Sequence, residues 1–252
     1  MGRRCGFPAS VTAGTTFQRT RLPLQDWFRA MWWMTDQKQR LSALGLQRLV
    51  GIGSYRTAWV WLQKLRRTFV LPDLDRLGGR VEVDEIRMGR IETGRGRRYL
   101  ESNALVAIAA QIDGKGIGRI RLRQVPTASP NQLIAFVKHV SEPSSIIITD
   151  GWKAYARLKH EGFKHRPRLI STSRKTASVL LPRVHRVASL LKRWLVSTHQ
   201  GALSQKQLDF YLNEFTVQFN RRTSKDRWEL FCKLVAQAVV IEPAPYSRLV
   251  AS

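Results

Sequence analysis

Two aspartates, Asp84 and Asp150, are the residues whose type and setting best fit catalysis. Val81 and Val83 precede the first, Ile146-Ile147-Ile148 precede the second, and a turn signal follows each. Apolar stretches of this kind read as buried strands, so both carboxylates are expected at strand ends. Side chains there point into the crevice where α/β sheets bind ligands. If the two strands are central neighbours the carboxylates meet, and paired hard oxygen ligands select Mg²⁺ or Mn²⁺. Two such ions about 4 Å apart stabilise the attacking and leaving oxygens of phosphoryl transfer. Either Asp also has a purely structural reading, since an Asp after a strand can cap the next helix. Asp150-Gly151-Trp152 has that form.

The charge balance indicates what such a site would act on. Lys and Arg number 43 against 18 Asp and Glu, a formal net charge of +25 in 252 residues. An excess that large repels itself in the folded state, and a polyanionic partner relieves it. It is spread along the whole chain, which favours several surfaces on a phosphate backbone over a single basic arm. A membrane-surface or ribosomal protein would share the charge, but eight Trp and ten Phe provide for a core that many small ribosomal proteins lack. Cys5 and Cys232 are far apart and offer neither a disulfide framework nor a complete zinc site. No signal-peptide core and no apolar stretch of membrane-spanning length is present, so a cytoplasmic address is expected.

The elements that must position the aspartates follow from the periodicity. An aromatic helix is expected over Trp27 to Gln37, packed into the core. A short helix through Leu46, Leu49 and Val50 is broken at Gly51-Ile52-Gly53, and Ser54 is placed to cap the next helix. In that helix Ala58, Trp61, Leu62 and Leu65 form the buried stripe, with Tyr55, Arg56, Gln63, Lys64, Arg66 and Arg67 outside. The pair fits a helix-turn-helix, or a plain helical hairpin, with Arg56, Lys64 and Arg66 offered to DNA. Strands are expected at Val81–Asp84, Ala104–Ile112, Gly118–Val125 and Ile146–Thr149, and helices at Gln132–Val140, Gly151–His160, Val184–Val196 and Gln205–Asn220. This order describes an α/β fold with a mixed sheet. Arg87, Arg90, Arg95, Arg97 and Arg98 surround Gly89, Gly94 and Gly96 in a basic loop beside the site. Arg95, Arg97 and Arg98 are candidate phosphate contacts.

Several blocks stand in a distinctive order: Val81-Glu-Val-Asp84-Glu85, Thr149-Asp150-Gly151-Trp152-Lys-Ala-Tyr155, and His185-Arg-Val-Ala-Ser-Leu-Leu-Lys192-Arg-Trp194. Thr198-His199-Gln200-Gly201, Tyr211-Leu-Asn-Glu214-Phe215 and Phe219-Asn220-Arg221-Arg222 follow. In order and spacing the chain resembles bacterial insertion-sequence transposases of the DDE type, the ISXO2-like group. The resemblance implies an RNase H-like mixed sheet flanked by helices, preceded by a small helical domain. It implies metal-dependent hydrolysis and strand transfer at element ends, with double-stranded DNA as partner and a homo-oligomer assembled on it at the bacterial nucleoid. Asp84 and Asp150 become the first two metal ligands, for Mg²⁺ or Mn²⁺ as two ions.

The third position stays open among His185, Glu214 and the place of Leu190, where the family carries Asn. His185 is the metal-ligand candidate, with Lys192 seven positions on and so on the same helical face. Lys192 is also a catalytic candidate, and Lys192 with Arg193 would contact backbone phosphate. The implied division is a zinc-ribbon remnant over 1–21, a helical DNA-binding region over 22–76, the catalytic domain over 77–222, and a C-terminal helix and tail over 223–252. A catalytically inactive DNA-binding remnant or regulator is the alternative reading.

Overall fold

Strand β1, Arg80–Met88, is the axis on which the fold is built. Its alternation sends Val81 and Val83 to one face and Glu82, Asp84 and Ile86 to the other. β2 (Ala104–Asp113) pairs with it antiparallel, and β3 (Gly116–Val125) pairs antiparallel with β2 through a two-residue turn. On its other edge β1 pairs in parallel with β4 (Ile146–Thr149), and β4 in parallel with β5 (Lys164–Pro167). The five-stranded order is β3-β2-β1-β4-β5, a mixed sheet as the sequence led us to expect. This computed structural model describes residues 10–35, 41–70, 75–88, 104–169, 177–199 and 207–250.

Apolar residues on both faces of β2 require a cover on each side. Against one face lie α4 (Pro130–Val140) and a 3-10 helix (Lys153–Glu161), burying Val83, Ala107, Phe136, Val137, Tyr155 and Leu158. Against the other lie α6 (Pro182–His199) and α7 (Leu208–Asn220), after the short α5 (Ala177–Leu180). Their Val184, Leu191, Trp194 and Phe215 meet Val106, Ile108 and Ile120 of the sheet. Asn220 ties the end of α7 to the β3 backbone, accepting from Ile120 N at 2.7 Å and donating to Ile120 O at 3.1 Å.

The chain divides into two compact units, Asp73–Asn220 and a second made of Met1–Pro72 with Arg221–Ser252. The second unit holds α1 (Leu24–Met34), α2 (Ala43–Val50), α3 (Tyr55–Arg67), α8 (Arg227–Val240) and α9 (Tyr246–Val250). The C-terminal segment, set apart as 223–252 in the sequence, therefore joins the N-terminal helices. Phe231 of α8 packs edge-on against Phe28 and Trp32 of α1, and the Arg227 guanidinium lies over the Trp32 ring at 4.7 Å. Trp27 is buried and stacks edge-on with Trp61 at 4.7 Å, whereas Phe28, Trp32 and Trp33 of the aromatic helix remain more than a third exposed. Cys5, the basis of the zinc-ribbon expectation, lies outside the described residues. Among the described residues no helix is long and apolar enough to cross a membrane.

Candidate active site

Asp84 does not end its strand, as the sequence had implied. It sits mid-strand, opposite Ile108, and β1 runs on to Met88 against β2. What ends near Asp84 is the pairing on the other edge: Glu82 is the last β1 residue matched to β4, opposite Ile148. The site opens where one partner strand stops. Continuing that register by two residues sets Asp150, just past β4, against Asp84, and adjacent strands lie about 4.8 Å apart. The 66-position gap between the aspartates (150 − 84) equals the offset of the observed pairing.

Each aspartate spends one oxygen on the backbone. Asp84 Oδ1 accepts from Glu85 N at 2.9 Å, and Asp150 Oδ1 accepts from Trp152 N at 2.9 Å. The bond of Asp150 is a local turn rather than the helix cap foreseen, since Trp152 is the N-cap of the next helix and that cap has no side-chain bond. The helix it precedes is 3-10, beginning at Lys153. Gly151 between them has φ +88°, where a side chain is strained.

Asp84 Oδ2 faces His185 Nε2 at 3.6 Å. That imidazole comes from the first turns of α6, and its Nε2 is buried without a hydrogen-bond partner. Burial, and secondarily the charge of Lys192, hold the His185 pKa below its ordinary value; Glu82 pulls it the other way. That shift favours the neutral ring. Burial, then the charges of Glu85 and Asp150, push Asp84 up to about 7. Glu85 is also raised, by burial first and by Asp150, although the Tyr155 hydroxyl donates to its Oε2 at 2.7 Å.

Two residues at this site escape a reading from sequence. Glu82, fully buried, holds the start of α6, and Glu85 with Tyr155 ties the 3-10 helix to β1 from the opposite face. Strict alternation along Val81-Glu82-Val83-Asp84 was the available signal for Glu82, since it puts Glu82 and Asp84 on one face.

The other candidates are placed as follows. Lys192 and Arg193 are exposed on α6. Leu190 packs against the core between α6 and the sheet, and Glu214 is buried on α7, accepting from Gln218 Nε2 at 3.2 Å. α7 lies over β3, two strands from β1. The structure thus brings His185, of the three alternatives, to Asp84. Arg66 corrects the expectation of an outward face on α3: it is 1% exposed, as is Gln63, and cannot present its guanidinium to phosphate. Arg56 donates to the Tyr246 hydroxyl at 2.7 Å with its guanidinium over that ring, and Lys64 is half-buried. Ser54 occupies the N-cap of α3 without a side-chain bond. Arg95, Arg97 and Arg98 lie outside the described residues.

Among the described residues no three His, Cys, Asp or Glu side chains form a ready-made metal cage. The donor set nevertheless fits a divalent ion. Burial raises Asp84 towards its neutral form, and His185 Nε2, buried and without a hydrogen bond, lies 3.6 Å from its Oδ2. Mg²⁺-type sites characteristically use one or two carboxylates and complete their shell with water and substrate phosphate.

A mixed five-stranded sheet thus carries Asp84 on its central strand and Asp150 just past the parallel neighbour. Residues 76–220 match the ISXO2-like transposase domain, and the chain belongs to that family. It is an insertion-sequence transposase, a DNA-cutting and DNA-joining enzyme of a class that uses divalent metal ions. Among solved structures it is similar to a Mos1 transposase paired-end complex with left transposon end. There the identity is 12%, over 88% of this chain and 80% of that one, with a TM-score of 0.36. For a Mos1 mariner paired-end complex with Mn the values are 10%, 82%, 78% and 0.38. No curated protein matches the chain.

Proposed function

We propose that this transposase hydrolyses a phosphodiester bond at the ends of its element and joins the freed 3′-hydroxyl to target DNA, with Asp84, Asp150 and His185 as the acting side chains. The approach of His185 Nε2 to Asp84 Oδ2 at 3.6 Å carries this reading, on the strand whose register sets Asp150 alongside. Asp84 and Asp150 would hold Mg²⁺ or Mn²⁺, two ions in the working complex, with His185 the third protein ligand. When bound, these ions stabilise charge on the attacking and leaving oxygens. Each carboxylate keeps one oxygen on a backbone N–H, which fixes its plane and leaves the other oxygen for the ion. His185 serves through Nε2 as a ligand or as a proton acceptor. Lys192 and Arg193 hold backbone phosphate beside the site, and Arg95, Arg97 and Arg98 extend that contact. Lys64 and Arg56 of α3 supply further contacts to double-stranded DNA. Bringing two element ends together requires two sites, so the working form is a homo-oligomer on DNA.

The decisive measurement is nicking of a duplex carrying the element's terminal repeats, with Mn²⁺ present. Asp84→Asn is expected to lower cleavage by about 10³-fold or more while DNA binding stays within about twofold of the parent. Binding without any cleavage by the parent protein selects the inactive DNA-binding remnant.

A further inference from the structure

Glu82 has no exposed surface, yet it carries a carboxylate into the interface between β1 and α6. Its Oε2 accepts from two successive backbone amides of the first turn of α6, Arg183 N at 2.7 Å and Val184 N at 3.2 Å. Its Oε1 meets Arg183 Nη1 at 3.1 Å. The same guanidinium reaches the β2–β3 turn, donating from Nε to Gly116 O at 2.8 Å and from Nη2 to Gly114 O at 2.9 Å. The opening amides of a helix lack intrahelical partners and carry its positive end, so a carboxylate there is both an acceptor and a countercharge. The residue after this capped pair is His185. Asp84 lies two positions beyond Glu82 on the same face of the strand.

We infer that Glu82 is a positioning residue for the active site: by clamping the first turn of α6 and Arg183 to β1, it sets the distance between His185 and Asp84. The clamp is stiff on both sides. Glu82 is held within the β1–β2 and β1–β4 pairings, and Arg183 is anchored at three backbone or side-chain partners. A helix held only by its apolar stripe can slide or tilt by fractions of an ångström, and a ligand pair at its first turn feels that motion most. Outer residues that orient ligands typically change metal affinity by about 10- to 100-fold when replaced. This inference rests on the reading of Asp84, Asp150 and His185 as a cation site.

The test is a double-mutant cycle on Mn²⁺ affinity, followed by calorimetry and by the free-ion electron paramagnetic resonance signal, in the full chain without DNA. The proteins are the parent, Glu82→Gln, His185→Ala, the double variant, Asp84→Asn and Asp150→Asn. Glu82→Gln keeps an acceptor for the two amides and removes the charge that holds Arg183. Glu82→Gln and His185→Ala are each expected to weaken binding by about tenfold, and the double variant no more than His185→Ala alone. Additive losses, a silent Glu82→Gln or a silent His185→Ala overturn the inference. If Asp84→Asn and Asp150→Asn leave Mn²⁺ affinity unchanged, the cation-site reading itself fails, a result distinct from the previous ones. Should Glu82→Gln not fold, Arg183→Gln enters the same cycle, because it releases the side-chain half of the clamp and leaves both amide bonds to Glu82. Coupling to His185→Ala is then the supporting result, and additivity the opposing one.

Discussion

Asp84 carries opposing demands, and they make its titration informative. Burial, Glu85 and Asp150 hold it at about 7, against an ordinary 3.8. Between those values the folded protein binds more protons than the unfolded chain, so stability is highest at the acidic end and falls as pH rises towards 7. Without added metal, urea unfolding is expected to show a loss on the order of 2–4 kcal/mol from this group between about pH 4 and pH 7.5. Asp84→Asn removes the effect, so at pH 8 the inactive variant is expected to be more stable than its parent. Saturating Mn²⁺ should reverse that order, stabilising the parent alone. A variant no more stable than the parent in metal-free buffer contradicts the electrostatic account of the site. The carboxylate pair was readable in sequence because both residues follow apolar runs, which must pair as strands, although Asp84 lies within its strand and only Asp150 follows one. Glu82 and Glu85 were not legible. A buried Glu in a strand gains meaning only from a partner about 100 residues away, as Arg183 is to Glu82, and nothing local in Val81-Glu82-Val83 announces that partner.

At the scale of elements, the turn from β4 to the 3-10 helix positions Asp150 by backbone geometry alone. Gly151 has φ +88°, and a Cβ there would stand 2.5 Å from Leu169 Cδ2. The Leu169 side chain is exposed at its end and can yield, whereas the left-handed backbone cannot. Gly151→Ala is expected to lower stability by about 1–2 kcal/mol in urea unfolding. It should also cut Mn²⁺-dependent nicking by tenfold or more, because small displacements of a reacting group are costly. Unchanged nicking would show that this turn does not position Asp150. Helix α3 illustrates where periodicity misleads. Ala58, Trp61, Leu62 and Leu65 are buried as their spacing requires, but Gln63 and Arg66 are buried too, and both α2 and α9 pack on the helix. A single-face pattern in the sequence could not reveal the second cover, because α9 begins nearly 200 positions after α3 does (246 − 55). Arg66→Ala is accordingly expected to cost about 2 kcal/mol or more in thermal or urea unfolding. Lys64→Ala should leave stability nearly unchanged and weaken DNA binding modestly. A stable Arg66→Ala with reduced DNA affinity would restore the outward reading of that residue.

Across the whole molecule the dominant physical fact is a net charge of +25 on 252 residues, with the basic groups distributed throughout. Part of that charge is structural. Arg183, Arg221 and Lys233 pair with carboxylates, and Arg56 and Arg227 lie over aromatic rings. The remainder repels itself, and added salt screens it over a Debye length of about 10 Å at 0.1 M. Two effects of opposite sign follow from this single cause. Raising NaCl from 50 to 300 mM should raise the melting temperature of the free protein, because self-repulsion in the compact state is relieved. The same change should weaken DNA binding steeply, since each phosphate neutralised contributes a slope of about −0.9 to the logarithm of affinity against that of salt. Six such contacts, spread over α3, α6 and the basic loop, would give a slope near −5, measurable by fluorescence anisotropy on duplex DNA. Replacing Lys192 or Arg193 should reduce the steepness by about one each, uniformly across DNA sequences, as expected for a residue that holds the backbone without reading bases. A shallow slope, or one unmoved by both substitutions, would detach the charge from the active-site face and leave α6 without a role in holding the strand that is cut.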